Sequence, residues 1–121
     1  MYKSIYFNEQ EFEACTPSCR YDQINEGSLA RLDLCRGLAK TPFILSSAYR
    51  SSEYELSKGR SGKGAHTEGR AFDIRCNSSA IRFRIVASAL EVGFTRIGIG
   101  KTFVHLDDSP NLTSQVIWLY E

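Results

Sequence analysis

The stretch Gly64–Arg75 reads G-A-H-T-E-G-R-A-F-D-I-R, and its interpretation decides the fold. His66 and Asp73 stand on either side of the point where a polar, glycine-flanked segment becomes apolar. A segment that only reversed the chain would need its glycines, but neither the histidine nor the aspartate. The pattern therefore indicates a loop that leads into a strand and carries two side chains with a chemical role.

The second histidine lies in a similar setting. The sequence has two histidines, and His105 stands in F-V-H-L-D-D among strand-forming residues. Side chains two residues apart in a strand point to the same face, so Asp107 is expected beside His105. Both histidines thus occur next to carboxylates where strands are predicted.

Length and charge restrict the function classes. A chain of 121 residues predicts a single domain spanning residues 1–121. Fifteen basic and fourteen acidic residues give a net charge of +1, which provides no electrostatic basis for nucleic acid as a partner. No apolar run approaches the ~20 residues that cross a bilayer, so membrane insertion is not expected. We also expect a monomer.

The predicted elements alternate between helices and strands, and the late strands are close enough in sequence to pair antiparallel. The chain therefore predicts an α+β fold, with a small antiparallel sheet packed by helices. The predicted elements, in order, are a short helix from about Asn8, a helix from Ser28 to about Lys40, a strand over 43–50, helical turns over 52–58, a mobile loop over 57–64, a strand over 70–76, a helix capped by Ser78 or Ser79 and ended by Gly93, strands over 96–100 and 102–107, and a last strand over 116–120.

Two further patterns refine this picture. The second helix carries Leu29, Leu32, Cys35 and Leu38 at a spacing of three, which predicts one apolar face. Of the other cysteines, Cys76 is expected as a buried thiol, like Cys35. The C-x3-C pair Cys15 and Cys19 has no second pair that would complete a zinc site, and a local disulfide between them remains open.

The histidines and Asp73 form a set that suits a metal. Neutral imidazole nitrogens and a carboxylate oxygen are zinc ligands, and catalytic zinc sites commonly use three protein ligands. His66, Asp73 and His105 would make such a set, with one Zn²⁺ per chain on the sheet. The alternative is that the two histidines are unrelated polar residues, one on a loop and one at a sheet edge.

Three segments together resemble one known family: S-S-A-Y-R-S at 46–51, G-A-H-T-E-G-R-A-F-D-I at 64–74 and F-V-H-L-D at 103–107. They are similar to the zinc D-alanyl-D-alanine carboxypeptidases and the endolysin-type L-alanyl-D-glutamate peptidases, which share their fold with the Hedgehog signalling domain. The family signature is S-x-H-x-x-G-x-A-x-D followed by a distant histidine, and only its opening Ser is replaced, by Gly64. The end of the chain, with Trp118, is similar to a short branch found in phage and bacterial cell-wall proteins.

The resemblance implies roles for individual residues. By the family pattern, His66, Asp73 and His105 bind zinc, and Arg50 grips a substrate carboxylate. A guanidinium suits this role because it binds a carboxylate in a two-pronged contact and keeps its charge. The alternative is that Arg50 pairs with a structural carboxylate such as Asp73 or Glu53.

Other residues of the motifs have supporting roles in this interpretation. Gly64 and Gly69 are expected to let the backbone bend tightly around a metal ligand. Asp107 is a tentative catalytic residue, expected rather to orient the imidazole of His105 than to act as a base.

The sequence departs from the family at one catalytic position. Many members carry an acidic general base three residues before the second histidine, and this chain has Thr102 there. A general base contributes roughly 10²–10⁴-fold to the rate, so its replacement matters. Asp107, Asp108 and Glu68 are the acids closest to the motifs.

Two functions follow from these observations. The resemblance implies a zinc metallopeptidase that hydrolyses amide bonds in peptidoglycan stem peptides, as a carboxypeptidase or an endopeptidase, through a zinc-activated water. Because the N-terminus lacks a signal-peptide apolar segment, we expect synthesis in the cytoplasm and action at the bacterial cell wall after phage-type release or delivery. The alternative, favoured by Thr102, is a weakly active or inactive zinc-containing module that binds the cell wall or has a structural role.

Overall fold

The computed structural model describes residues 2–121, which fold around one hydrophobic core. Within this range, α-helices lie at Glu9–Glu13 (α1), Glu26–Ala39 (α2), Ser52–Ser57 (α3) and Ser79–Val92 (α4), with a 3₁₀ turn at Tyr21–Gln23. Strands lie at Leu45–Ser47 (β1), Ala71–Arg75 (β2), Arg96–Ile99 (β3), Phe103–Asp107 (β4) and Val116–Leu119 (β5). None of the helices within these residues combines the length and apolar character that a bilayer span requires.

Within the described residues the strands form one sheet in the order β1-β2-β4-β3-β5. The predicted α+β class is confirmed, and the pairs β1–β2, β2–β4 and β3–β4 are antiparallel as expected. The sheet departs from the predicted antiparallel pairing in one place, because β5 pairs parallel to β3. Residues 108–115 cross over β3 at one end of the sheet, so β5 runs antiparallel to β4 with β3 between them.

The two faces of the sheet have different environments because side chains alternate along each strand. One face packs against α2 and α4 and forms the core. The fully buried side chains of this core include Leu29, Leu32, Cys35, Phe72, Ile74, Ile85, Ile97, Val104 and Leu106. The opposite face carries Asp73 and His105, which lie directly across from each other in the β2–β4 register.

Helix α2 begins earlier than the sequence predicts. Asn25, not Ser28, is its N-cap, and the Asn25 side chain accepts a hydrogen bond from the Ser28 backbone at 2.9 Å. The Ser28 hydroxyl instead donates to Asp108 at 2.7 Å. The predicted apolar face is wrong at Leu38, which is 50% exposed. On a helix of 3.6 residues per turn, residues spaced by three are rotated about 60° from one another around the helix axis. After three such steps, Leu38 lies on the side of the helix opposite Leu29.

The other elements agree with the predicted pattern apart from their ends. Asn8 caps α1, Ser78 caps α4, and Gly93 ends α4 in a left-handed conformation with φ of 95°. Strand β1 is much shorter than the predicted 43–50, and its pairing with β2 shifts register between Leu45 and Ser47. All four cysteines are buried free thiols, including Cys15 and Cys19.

Candidate metal centre

The structure brings His66, Asp73 and His105 together. Their ligand atoms all lie within 4.8 Å of one another, and each residue is at most 7% exposed. Asp73 Oδ1 lies 3.4 Å from Nε2 of His66 and 3.0 Å from Nδ1 of His105. The strand pairing positions Asp73 and His105, whereas His66 comes from the turn that precedes β2.

The turn around His66 depends on Gly69. Its amide donates to the His66 carbonyl at 3.2 Å, and its φ of 71° is one that residues with a side chain rarely adopt. A Cβ at this position would lie 2.4 Å from the Gln23 carbonyl oxygen. The expectation that Gly64 is also needed is wrong, since it has no positive φ and a Cβ there would meet no atom within 4 Å.

Each histidine has one ring nitrogen engaged and the other facing Asp73. Nδ1 of His66 donates to the Ala48 carbonyl at 2.5 Å, so Nε2 is the nitrogen that faces the cluster and is placed to bind a metal. Nε2 of His105 donates to Asp107 Oδ2 at 2.5 Å, which leaves Nδ1 as the coordinating nitrogen. These outer hydrogen bonds fix the tautomers that metal binding requires.

This donor set fits zinc. Two neutral imidazoles and one carboxylate are a common three-ligand zinc set. Two ligands, each about 2.0–2.1 Å from a tetrahedral zinc, lie about 3.3 Å apart, close to the distances from Asp73 Oδ1 to the two histidine nitrogens.

The electrostatics of the metal-free cluster also suit a cation. Burial alone would raise the pKa of Asp73, but hydrogen bonds from His105 and His66 hold it well below its usual range. Burial alone would lower the pKa of His105, but hydrogen bonds to Asp107 and Asp73 raise it. The raised pKa of His105 means that a metal at its Nδ1 would compete with a proton for that nitrogen.

Arg50 lies beside the cluster and is held by three acceptors. Its Nη2 donates to Asp73 Oδ2 at 3.0 Å and its Nε to Ser47 Oγ at 2.9 Å, while Nη1 lies 3.5 Å from Glu55 Oε1. Its backbone amide also donates to the His66 carbonyl at 3.2 Å. Of the two structural carboxylates considered for Arg50, the structure shows the pair with Asp73. Glu53 makes no ion pair within residues 2–121, and the second carboxylate beside Arg50 is that of Glu55.

Asp107 is fully buried with both oxygens engaged. Besides His105 on Oδ2, its Oδ1 accepts a hydrogen bond from the Ser109 amide at 3.0 Å and lies 3.1 Å from Arg96 Nε. Burial alone would raise the pKa of Asp107, but the hydrogen bonds from His105 and Ser109 lower it.

Thr102 and the remaining acids near the motifs, Asp108 and Glu68, differ in their surroundings. Thr102 is exposed in the turn between β3 and β4, and its backbone carbonyl accepts a hydrogen bond from the Cys76 amide. Asp108 accepts a hydrogen bond from Ser28 and lies 3.4 Å from Arg70, so its oxygens face helix α2. Glu68 accepts a hydrogen bond from the Asn111 side chain on Oε2, whereas its buried Oε1 has no hydrogen-bond partner among the described residues.

An aromatic wall that sequence reasoning missed flanks His105. The Trp118 ring lies 5.3 Å from the His105 ring, and Arg96 covers Trp118 at 4.9 Å. Gly98 is paired with both His105 and Trp118, and a Cβ there would lie 2.8 Å from Trp118 and 2.5 Å from Tyr120. A glycine inside a predicted strand was the available signal, because it often marks the close approach of another group.

Comparison with known proteins identifies a family. The family described as Peptidase M15 matches residues 6–107, which include the three clustered residues and Arg50. No curated protein is similar enough in sequence to serve as a relative.

Proposed function

The chain belongs to the peptidase M15 family, and from that premise we propose that it hydrolyses amide bonds in peptidoglycan stem peptides, as a carboxypeptidase or an endolysin-type endopeptidase. The family is one of zinc-dependent hydrolases. The observation that carries the proposal is the buried His66–Asp73–His105 group with Arg50 beside it. An enzyme with this substrate would act at the bacterial cell wall.

In this proposal His66, Asp73 and His105 hold one zinc ion through Nε2, Oδ1 and Nδ1. When bound, zinc supplies Lewis acidity, which activates water near neutral pH and polarises the carbonyl under attack. A structural zinc site more often has four protein ligands with cysteines among them. None of the four cysteines belongs to the cluster within residues 2–121, which favours catalysis over a structural metal.

Arg50 binds a carboxylate of the substrate. A guanidinium has five N–H groups, and three of them face Ser47, Glu55 and Asp73. The two that remain, one on each terminal nitrogen, are enough to hold one carboxylate. Since Arg50 also touches Asp73, a carboxylate bound there would lie next to the metal ligands.

Asp107 acts through His105 in this proposal. Because both of its oxygens are occupied, it orients the imidazole and is not available as a proton acceptor for water. Among the acids near the motifs, Glu68 keeps one oxygen without a hydrogen bond in the described structure, which makes it the candidate general base to test by substitution.

The alternative is a zinc-containing module that binds cell-wall peptide without cutting it. The observation that favours it is Thr102, which places no carboxylate where many relatives carry their base. In this case the cluster and Arg50 would bind the same ligands, but the amide bond would remain intact.

Elemental analysis and a cleavage assay on one preparation test both proposals. We expect one zinc per chain after reconstitution and new amine ends when the protein is incubated with stem peptides from cell walls. His66→Ala and Asp73→Ala should lose both zinc and cleavage. One zinc per chain without cleavage would favour the binding module, and full zinc retention in both variants would refute the proposed ligand set.

A further inference from the structure

A chain of alternating charges connects a surface loop to the candidate metal centre. Arg60, in the loop over 57–64, donates through Nε to Glu55 Oε2 at 2.7 Å, and its Nη2 lies 2.6 Å from the same oxygen. The other oxygen of Glu55 faces Arg50 at 3.5 Å, and Arg50 in turn contacts Asp73 at 3.0 Å. Glu55 is therefore the carboxylate that links the two arginines.

Glu55 is held firmly although it lies on a helix of only six residues. Its residue exposure is 8%, and both oxygens face a guanidinium. The Ser51 hydroxyl caps α3 by accepting a hydrogen bond from the Tyr54 amide at 3.0 Å. The Arg60 amide also donates to the Glu55 carbonyl at 2.9 Å, so backbone and side chain both tie the loop to this residue.

The contact with Glu55 decides how Arg50 is oriented. Ser47 and Asp73 engage Nε and Nη2, which lie at two corners of the planar guanidinium. Glu55 faces the third corner, Nη1, and so opposes tilting of the group about the line through the other two contacts. A planar group held at three corners presents its remaining N–H bonds in one fixed direction.

We propose that Glu55 is a positioning residue, which fixes the Arg50 guanidinium so that its two free N–H groups bind a substrate carboxylate. This inference rests on the proposed peptidase function. Arg60 holds Glu55 in place, so the loop over 57–64 contributes to substrate binding through this one side chain. Glu55 itself touches neither the substrate nor the metal.

Kinetics on paired peptides test the proposal. The substrates are a synthetic stem pentapeptide, L-Ala-γ-D-Glu-L-Lys-D-Ala-D-Ala, and two versions with either the C-terminal or the D-glutamate α-carboxylate amidated. The unaltered protein should prefer the peptide that keeps the carboxylate bound by Arg50. In Glu55→Gln, the KM for that peptide should rise roughly ten-fold, with little change for its amide. Arg60→Gln should shift the same KM in the same direction, by less.

The matched control is Glu53→Gln, because Glu53 lies on the same helix but is exposed and makes no ion pair within residues 2–121. It should leave the preference for the carboxylate unchanged. A merely structural role of Glu55 would lower the melting temperature or the zinc content of Glu55→Gln, yet preserve the discrimination between acid and amide. Preserved discrimination in both Glu55→Gln and Arg60→Gln would overturn the proposal.

A second measurement does not depend on activity. Nitrogen NMR of the Arg50 side chain reports rotation about its Nε–Cζ bond. The Arg50 signal is assigned as the one that disappears in Arg50→Lys. We expect slow rotation in the unaltered protein and faster rotation in Glu55→Gln, whether or not zinc is bound. If no peptide is cleaved, the proposed function fails and the NMR result alone decides. Unchanged rotation in Glu55→Gln would then overturn the role of Glu55.

Discussion

Replacement of Asp107 by Asn should weaken zinc binding by reversing the tautomer of His105. In the structure, Asp107 Oδ2 accepts the proton on Nε2 of His105, which leaves Nδ1 free to face Asp73. An asparagine whose amide oxygen keeps the contacts with Ser109 and Arg96 would direct its NH₂ group at Nε2. The ring would then accept at Nε2 and carry its proton on Nδ1, where the metal must bind.

The expected loss follows from the role of such outer partners. Their removal typically weakens metal binding about 10–100-fold, which corresponds to roughly 1.4–2.7 kcal/mol. Asp107 should fall toward the upper end of this range, because it is fully buried and no water can replace the lost acceptor. Arg96 would keep its hydrogen bond but lose its negatively charged partner, which should also destabilise the metal-free protein by about 1 kcal/mol.

The assay is a competition titration of zinc between the protein and a coloured chelator, with urea unfolding of the metal-free form. Asp108→Asn is the matched control, because the side chain of the neighbouring acid is also only 7% exposed but faces Ser28, Arg31 and Arg70. It should lose stability with little change in zinc affinity. Equal zinc affinities for the two variants would refute the tautomer argument.

Three further predictions concern the turn, the base and the pH response. Gly69→Ala should destabilise the protein by several kcal/mol in urea unfolding, because its φ of 71° and a Cβ 2.4 Å from a backbone oxygen both oppose a side chain, whereas Gly64→Ala should change stability by less than about 0.5 kcal/mol. An equal effect of the two would contradict the role of Gly69. Glu68→Gln should lower kcat by roughly 10²–10⁴-fold with zinc content unchanged, and an unaltered kcat would exclude Glu68 as the base. Burial alone would raise the pKa of Glu55, but the hydrogen bond from Arg60 and the charges of Arg50 and Arg60 lower it. Ionised Glu55 therefore stabilises the folded protein above the unfolded-state pKa of about 4.3, and this stabilisation is lost as the pH falls further. Urea unfolding of the metal-free protein between about pH 5 and pH 3 should therefore show a steeper loss of stability than in Glu55→Gln, and identical slopes would contradict it.

Local sequence pattern was sufficient where one residue type determines the structure. The alternation in R-A-F-D-I-R-C and F-V-H-L-D predicts which side chains share a face, and the β2–β4 register places Asp73 opposite His105. Asn8, Ser78 and Gly93 mark helix ends for reasons contained in their own side chains or lack of one. The group of three candidate ligands could therefore be predicted before the fold was known.

The sequence was insufficient where the partner of a residue lies far along the chain. Ser28 is a good N-cap by type, but its hydroxyl bonds to Asp108, eighty residues away, and Asn25 caps the helix instead. The same applies to Arg50, for which Glu53 was considered and Glu55 is the neighbour. These residues differ by two positions on a short helix, and only the direction of that helix relative to β1 decides which one faces the guanidinium.

Each candidate ligand is supported by one outer partner. The Ala48 carbonyl holds His66, Arg50 holds Asp73, and Asp107 holds His105. Two of these partners, Ala48 and Arg50, lie in the segment that follows β1.

The segment over 47–50 serves both the candidate metal centre and the proposed substrate contact. The backbone between Ser47 and Arg50 positions the acceptor for a metal ligand and also the arginine proposed for the substrate. A shift of this segment would move both together and preserve their separation, whereas a change at Glu55 would move the guanidinium alone. Substitutions in the segment should therefore affect zinc and substrate in parallel, and substitutions at Glu55 should separate the two effects.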